Sequence, residues 1–594
     1  MQVNHTTAVI GADLQHGHAP FPRATTILRL LGTICAVAVL RFVAKLIKHR
    51  RNFARLRRKG FPMPPHSFLL GHLGLVAKLT KGWPRDFHGH YIAAEIRDRY
   101  PELPPVFYLD LWPTGPPLVV MTAAGGAAEI ALREPQLPKY EGVLGFLQPL
   151  IGKHGLVTME GAEWKYWRAI FNPGFNAAHL QTLVPGIVEN TMVLCEILSE
   201  RAEEGGLFSL FETMSRLTMD MSCLATLGSR LNAQRQGCEL VSAFRSQASW
   251  IPSPNETNLF KIYNPMRHLV YRYNRRRMDR YVSTELDAHF AIHAQGQNGA
   301  RAKRSKAVVD LALETYLAEQ RGSAAPDQQA NGKTAPMVMD ARFKQFAVSQ
   351  MKLFLFAGYD TTASAAVYAI HLLSLYPETL QKRARNTTPA ETAALISQQP
   401  HVLNRLAYTS AVIKEALRLY PPVSSTRNSA PGYKLVSQGQ EFETQGFMLW
   451  GVHQAIHRAA EHWPSPNRFI PDRWLVSPGH ALYPRDKEAW RPFEKGPRNC
   501  IGQELALLEV KVVLAMVLRD FDFADAYAEF HAQKAAERGG SSGRDGPPEV
   551  RGTGPTKSCS GAASRIMGTH ARCRNGRPAK TQATGADTIT NMGG

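Results

Sequence analysis

One cysteine of the chain lies in a segment whose neighbouring residues suit it to bind iron. The segment reads Phe493-Glu-Lys-Gly496-Pro-Arg498-Asn-Cys500-Ile-Gly502. A cysteine thiolate on haem iron donates electron density that favours cleavage of a bound O–O bond. Gly496 and Gly502 permit a tight backbone that aims the sulfur at a flat macrocycle, and Arg498 can pair with a haem propionate. This spacing, with the aromatic Phe493, predicts haem ligation by Cys500.

The residues after the cysteine predict how its thiolate form is stabilised. The apolar run from Ile501 to Leu518 predicts a helix that begins at Cys500. The positive end of a helix dipole stabilises a thiolate. A buried cysteine is more often a small core residue, but these neighbours favour a ligand.

Two further stretches carry polar residues at helical spacing. Trp164 and Arg168 are four residues apart, so they share one helical face and can address one partner. The long apolar stretch from Phe346 to Tyr376 is interrupted at Ala357-Gly-Tyr-Asp360-Thr361-Thr362. Glycine beside hydrogen-bonding side chains can weaken a helix and predicts a local kink. Read alone, both stretches are more typical of ordinary helices with a polar face than of a ligand site.

Charged residues also recur before the cysteine segment. Glu415 and Arg418 are at i and i+3 on a predicted helix, a pair that contributes little when it is exposed. The stretch Tyr420-Pro-Pro-Val-Ser-Ser-Thr-Arg427 follows, and Arg473 lies in Phe469-Ile-Pro-Asp472-Arg473-Trp.

In this order, the segments resemble the cytochrome P450 superfamily over about Phe61 to Asp525. The resemblance implies a mainly α domain with a small β-sheet, holding haem b. It also implies a monooxygenase that inserts one atom of O2 into an apolar organic substrate, in the manner of fungal microsomal enzymes of secondary metabolism. Electrons would come from NADPH through a separate reductase, because no flavin or nicotinamide domain is visible.

The resemblance also assigns roles to residues. Trp164, Arg168 and Arg427 are similar to residues that contact the haem propionates. Asp360 and Thr361 are similar to residues that relay protons to bound oxygen.

A third assignment is structural. Glu415, Arg418 and Arg473 are similar to a buried charge cluster that supports the cysteine segment. Asp472 stands where many relatives have glutamate.

The N-terminus predicts a membrane anchor. The apolar segment from Ile27 to Ile47 has an uninterrupted centre, Leu30 to Leu40, and a basic flank follows it. That flank indicates a cytosolic catalytic domain by the positive-inside rule, and we expect attachment to the endoplasmic reticulum. With the anchor in this orientation the extreme N-terminus would be lumenal, and Asn4 would lie in an Asn-His-Thr glycan acceptor. A cleaved signal peptide ending near Ala36-Val-Ala38 is the alternative.

We expect three parts in the chain: residues 1–59 as anchor and basic flank, 60–526 as the haem domain, and 527–594 as a low-complexity, disordered tail. Relatives usually end in a β-hairpin that borders the substrate. The stretch from Arg321 to Thr334 is predicted to be a surface loop.

Composition and motifs argue against several other classes of protein. The net charge is +21, yet no nucleic-acid recognition motif is present. The seven cysteines lack CxxC spacing, which argues against a zinc site or a disulfide framework. A basic docking face for the reductase, or an ordinary solvated surface, is predicted near the cysteine; its residues are Lys487, Arg491, Lys495 and Lys511.

The substrate is predicted to occupy a large apolar pocket. Its wall would be a loop from Tyr140 to Val157, together with Phe354 and Phe356. Two other functions stay open: a peroxide-using haem-thiolate isomerase or peroxygenase, and a haem-binding protein made inactive by its unusual C-terminus.

Overall fold

The computed structural model divides the chain into two units, Met1–Gly60 and Phe61–Gly594. It describes residues 24–83, 88–252, 263–294, 306–323, 338–376, 379, 388–526, 529–530, 532–533, 536 and 570–575. Asn4 and residues 324–334 of the predicted loop lie outside the described residues.

The first unit contains one long helix, α1, from Ala24 to Arg58. Its apolar side chains from Leu28 to Val43 are exposed rather than packed. By length and composition the segment Leu28–Arg58 could cross a membrane. Two other helices pass the same test, but both contribute side chains to the buried core.

The second unit is mainly helical, as the sequence predicted. Its first helices are α2 Leu73–Leu79, α3 Tyr91–Arg99, α4 Ala124–Leu132, α5 Glu141–Ile151, α6 Gly161–Phe171, α7 Ala177–Glu204, α8 Leu210–Leu227 and α9 Glu239–Trp250. The later helices are α10 Met266–Ala294, α11 Val308–Ser323, α12 Ala341–Leu375, α13 Pro389–Gln398, α14 Ala407–Leu419, α15 His453–Ile456 and α16 Gln503–Asp520.

Short strands form three small sheets. The strands are β1 Val106–Asp110, β2 Pro117–Met121, β3 Phe208–Ser209, β4 Ser425–Asn428, β5 Lys434–Ser437, β6 Gln440–Glu443, β7 Met448–Gly451, β8 Phe521–Asp525 and β9 His570–Asn575. The largest sheet has the order β1-β2-β7-β4, in which only β2 and β7 are parallel.

The long helix α12 runs through the core as one continuous helix, so the residues around Gly358 do not end it, and the local kink stays a prediction. The glycine has a packing role there. A Cβ at Gly358 would lie far inside van der Waals contact with Ser222 Oγ on α8. The Thr218 hydroxyl, also on α8, donates to the Tyr359 carbonyl at 2.6 Å. Gly358 therefore lets two core helices approach closely.

The C-terminal part differs from the disorder expected of residues 527–594. Strand β9 comes from this part and pairs antiparallel with β8 and with β3. A strand from the tail thus closes a three-stranded sheet whose order is β3-β9-β8. Composition did not indicate this strand, because His570–Asn575 is polar and lies between glycine-rich stretches.

Gly358→Ala should destabilise the protein by roughly 1 to 3 kcal/mol, since the new methyl group overpacks the contact between α8 and α12. Adding Ser222→Ala removes the clashing oxygen and should recover most of that loss. Gly125→Ala in α4 is the matched control, because a Cβ there meets nothing within 4 Å. Urea unfolding followed by circular dichroism measures all four proteins. An equal effect of Gly358→Ala and Gly125→Ala would contradict the packing account.

Candidate active site

A short loop before α16 presents Cys500. The Cys500 amide donates to the Phe493 carbonyl at 2.9 Å, which closes the loop. Gly496 has φ +75°, and a Cβ there would come within 2.6 Å of the Ala131 carbonyl oxygen. Both facts require glycine. Gly502 is different: its φ is −88°, and a Cβ would touch only Phe175, at 4.0 Å.

The cysteine is accessible but poorly hydrated. Cys500 is exposed, yet burial raises the pKa of its thiol, because the surrounding protein excludes most of the water. The Gly502 amide and the Arg168 charge lower that pKa and oppose the effect of burial. An exposed cysteine that is nevertheless surrounded by much of the protein indicates a recess. Helix α16 begins at Gln503, three residues later than predicted, so Cys500 precedes its N-terminus.

Helix α6 fastens the cysteine loop. The Arg168 guanidinium donates to the Asn499 carbonyl at 2.9 Å and to the Asn499 side chain at 3.1 Å. The Arg498 guanidinium lies 4.4 Å from the centre of the buried Trp164 ring. Arg168 and Trp164 therefore each contact one of the two residues before Cys500. Their contact with a haem propionate stays a prediction.

Three cations meet beside this loop. Burial lowers the pKa values of Lys139, Arg427 and Arg498. The charges of neighbouring cations lower those of Lys139 and Arg498 further, and the pKa of Arg498 falls to about 10. A β-bridge joins the backbones of Lys139 and Arg427. Glu160 and Glu494 supply negative charge nearby.

These cations fit the acidic groups of haem. Crowded, poorly hydrated cations favour anions such as the two propionates. Lys139 and Glu494 were missed by the sequence reasoning, because a single lysine or glutamate outside a helical pattern carries no recognisable signal. The β-bridge between residues 139 and 427 could not be inferred from their separation in sequence.

A second opening lies along α12. Ala357 is exposed, although the residues from Met351 to Leu355 and at Thr362 are buried. One turn of a core helix therefore borders open space. The Thr361 hydroxyl donates to the Ala357 carbonyl at 2.7 Å in that turn. Burial raises the pKa of the adjacent Asp360, so this carboxyl group keeps its proton to a higher pH than an exposed aspartate does.

Glu415, Arg418 and Arg473 form a buried charge cluster. Arg418 donates to both Glu415 carboxylate oxygens, at 2.9 and 2.8 Å, and Arg473 donates to one of them at 3.1 Å. All three side chains are 0% exposed. Burial alone would raise the pKa of Glu415, but the two arginines hold it below its ordinary value.

The cluster also binds backbone atoms of the loops around it. The remaining Arg418 hydrogens go to the carbonyls of His457, Pro466 and Arg468, at 2.7, 2.6 and 3.0 Å. The charges therefore have partners on several segments, which is what makes a buried ion cluster tolerable.

The structure corrects two expectations about the surroundings. Arg491 is 1% exposed and binds Glu494, so it cannot belong to a docking face, whereas Lys487 is exposed. The predicted loop from Tyr140 to Val157 contains helix α5. The buried Phe354 ring packs against Phe171 and Phe175, so it belongs to the core rather than to a pocket wall.

A separate cavity of about 440 Å³ lies elsewhere. Its wall includes Trp83, Tyr91, Asp98, Arg458 and Asn467, and it contains none of the residues that the motifs pointed to. Cavity size therefore does not locate this site; the chemistry of its residues does.

Comparison with known proteins agrees with the geometry. A family model described as Cytochrome P450 matches residues 95–529. The chain belongs to the cytochrome P450 family. It is 38% identical to Cytochrome P450 monooxygenase polC of Polytolypa hystricis, over 85% of this chain and 89% of that protein. It is 34% identical to Cytochrome P450 monooxygenase acrF of Aspergillus aculeatus, over 78% of this chain and 92% of that protein.

Membership of the cytochrome P450 family identifies the chain as a monooxygenase and implies haem. The residues present fit that group, because an accessible cysteine and a set of crowded cations border one loop. The space over Gly502 also fits, since the protein itself places nothing closer than 4.0 Å to a Cβ there.

Glu415→Gln should cost roughly 3 to 5 kcal/mol of folding free energy, because two buried arginines lose their counter-charge. The haem content of the purified protein should fall with it. The control is Glu441→Gln, which breaks an ion pair with Lys434 whose two side chains are each 59% exposed. That change should leave the free energy of unfolding nearly unchanged, because water screens an exposed ion pair. Urea unfolding measures the stability of both variants. Similar losses of unfolding free energy would show that the buried cluster stabilises the protein no more than an exposed ion pair does.

Proposed function

We propose that this cytochrome P450 is a haem-thiolate monooxygenase that inserts one oxygen atom into an apolar organic substrate. The observation that carries the proposal is the position of Cys500, whose accessible sulfur stands in a recess beside three crowded cations. Bound haem would supply the activation of dioxygen there. A role in fungal secondary metabolism is part of the proposal, since both relatives named above are fungal monooxygenases.

The residues around the sulfur have defined tasks in this proposal. The amide of Gly502 and the charge of Arg168 favour the thiolate, which is the form that ligates iron. Arg168 and Trp164 hold the loop at residues 499 and 498. Arg427, Arg498 and Lys139 bind the haem carboxylates and so fix the orientation of the ring.

Asp360 and Thr361 would manage protons on the substrate side. The Thr361 hydroxyl can turn from the Ala357 carbonyl towards a water molecule in the adjoining opening. The raised pKa of Asp360 makes its carboxyl group a proton donor nearer to neutral pH than an ordinary aspartate. The pair is therefore suited to deliver protons without admitting bulk water.

The electrons would come from NADPH through a separate reductase. Helix α1 would anchor the protein in the endoplasmic reticulum membrane, with its catalytic domain in the cytosol. The exposed apolar side chains of α1 and the basic residues in its last turn, Arg55, Arg57 and Arg58, support that orientation.

Thr361→Ala should keep its haem but release hydrogen peroxide. The variant lacks the hydroxyl that positions proton delivery to bound dioxygen, so oxygen is reduced without being inserted into the substrate. The fraction of NADPH that yields oxygenated product should fall about a hundredfold, the lower end of the range for a positioned acid–base group. Thr361→Ser keeps a hydroxyl and is the matched control. Reconstitution with a microsomal reductase and a panel of apolar compounds under ¹⁸O2 gives the measurement.

One labelled oxygen atom in the product and one in water is the result that the proposed function requires. Turnover with an organic peroxide but not with NADPH and reductase would instead establish the isomerase or peroxygenase. Equal product yields from the Thr361→Ala and wild-type proteins would remove the proton-relay assignment.

A further inference from the structure

Glu494 is a carboxylate held in an unusual conformation within the cysteine loop. Its φ is +57°, a left-handed backbone that residues other than glycine adopt only when their contacts hold them there. One carboxylate oxygen accepts from the Arg491 guanidinium, at 2.9 and 2.7 Å. The other lies 3.3 Å from His453 Nε2. The contacts of Glu494 therefore fix both of its oxygens.

The contacts of His453 define its charge. The side chain is 3% exposed. Its Nδ1 atom lies 2.9 Å from the Val423 carbonyl oxygen, and its Nε2 atom faces the Glu494 carboxylate. Both partners can only accept hydrogen bonds, and two donated hydrogen bonds need a proton on each ring nitrogen. The contacts therefore favour an imidazolium paired with Glu494.

The neighbouring histidine behaves differently. His457 Nε2 accepts from the Arg491 amide at 2.9 Å, and His457 Nδ1 lies 3.1 Å from the Arg418 carbonyl oxygen. One nitrogen accepts and the other donates, so this ring is neutral. Its pKa is lowered well below the ordinary value by burial and by the charge of His453. The positive charge of this pair of rings thus stays on His453.

The ion pair adjoins the cations that face the haem site. Burial alone would raise the pKa of Glu494, but the hydrogen bond and charge of His453, with the charge of Arg491, hold it well below its ordinary value. The same carboxylate accepts a hydrogen bond from Ser425, whose hydroxyl oxygen lies 3.4 Å from the Arg427 guanidinium. Its charge accordingly raises the pKa of Arg427 and of Lys139. A less neutralised Glu494 would compete with the haem carboxylates for these two cations.

We propose that His453 is a positioning residue for the haem. By neutralising Glu494, its imidazolium leaves Lys139 and Arg427 to bind the haem propionates. This inference rests on the proposed function, because it requires haem in the recess. It predicts that haem retention depends on the charge of His453, which acts through Glu494, and not on the volume of its ring.

The test compares holoprotein carrying His453→Gln, the double variant His453→Gln with Glu494→Gln, and a control, His480→Gln, at an exposed position. Two quantities are measured, the rate of haem transfer to apomyoglobin and the reduction potential of the bound haem. His453→Gln should speed haem loss about tenfold, the size of a partly buried charge interaction. It should also lower the potential, because one positive charge is lost near the iron.

The double variant should reverse both effects. With Glu494 neutral, the competition ends, so haem loss should return to within about threefold of the wild-type rate and the potential should rise again. Recovery of holoprotein in the double variant, when His453→Gln alone retains no haem, would support the proposal equally. A merely structural role predicts the opposite, since a second change in one contact would loosen the loop further.

Three results would overturn the inference. The first is a His453→Gln protein whose haem-loss rate and potential match those of the His480→Gln control. The others are a double variant that loses haem at least as fast as His453→Gln, and a reduction potential that the second substitution does not restore. Absence of haem from the wild-type chain would overturn the proposed function and this inference together, whereas the other results leave the proposed function intact.

Discussion

The buried cluster of Glu415, Arg418 and Arg473 is the interaction on which the site depends. The charges of three fully buried side chains are tolerable only because every partner is present. Their contacts also continue towards the cysteine: the Arg418 guanidinium binds the His457 carbonyl, the His457 ring accepts from Arg491, and Arg491 holds Glu494. Glu494 lies in the loop that Cys500 closes. A defect in the charge cluster would therefore be transmitted to the position of the sulfur.

The same loop imposes an electrostatic constraint. Burial disfavours the thiolate of Cys500, and only the Gly502 amide and the Arg168 charge are shown to oppose it. Burial likewise disfavours the charges of Lys139, Arg427 and Arg498. A negative thiolate and two propionates would face these cations when haem is bound. Bound haem would relieve these unfavourable terms, which explains how haem binding can stabilise the fold.

Much of the site could be predicted because its chemistry depends on residue types at fixed spacing. Cys500, Gly496 and the pair Glu415 and Arg418 are of this kind. Long-range contacts gave no such signal. Lys139 meets Arg427 through a β-bridge, and Gly358 serves the packing of α8 against α12. Strand β9 was missed because its pairing with β8 and β3 outweighs a polar composition. Arg491 was misplaced on the surface because its partner Glu494 lies in a backbone conformation that no local pattern indicates.

The central claim is that Cys500 binds haem iron as a thiolate in this recess. The most direct measurement is the absorption spectrum of the reduced, carbon-monoxide-bound protein, compared between the wild-type chain and Cys500→Ala. We predict a strongly red-shifted Soret band for the wild type, and a blue-shifted band or no bound haem for the variant. A wild-type chain without the red-shifted band, or a variant that keeps it, would contradict the account.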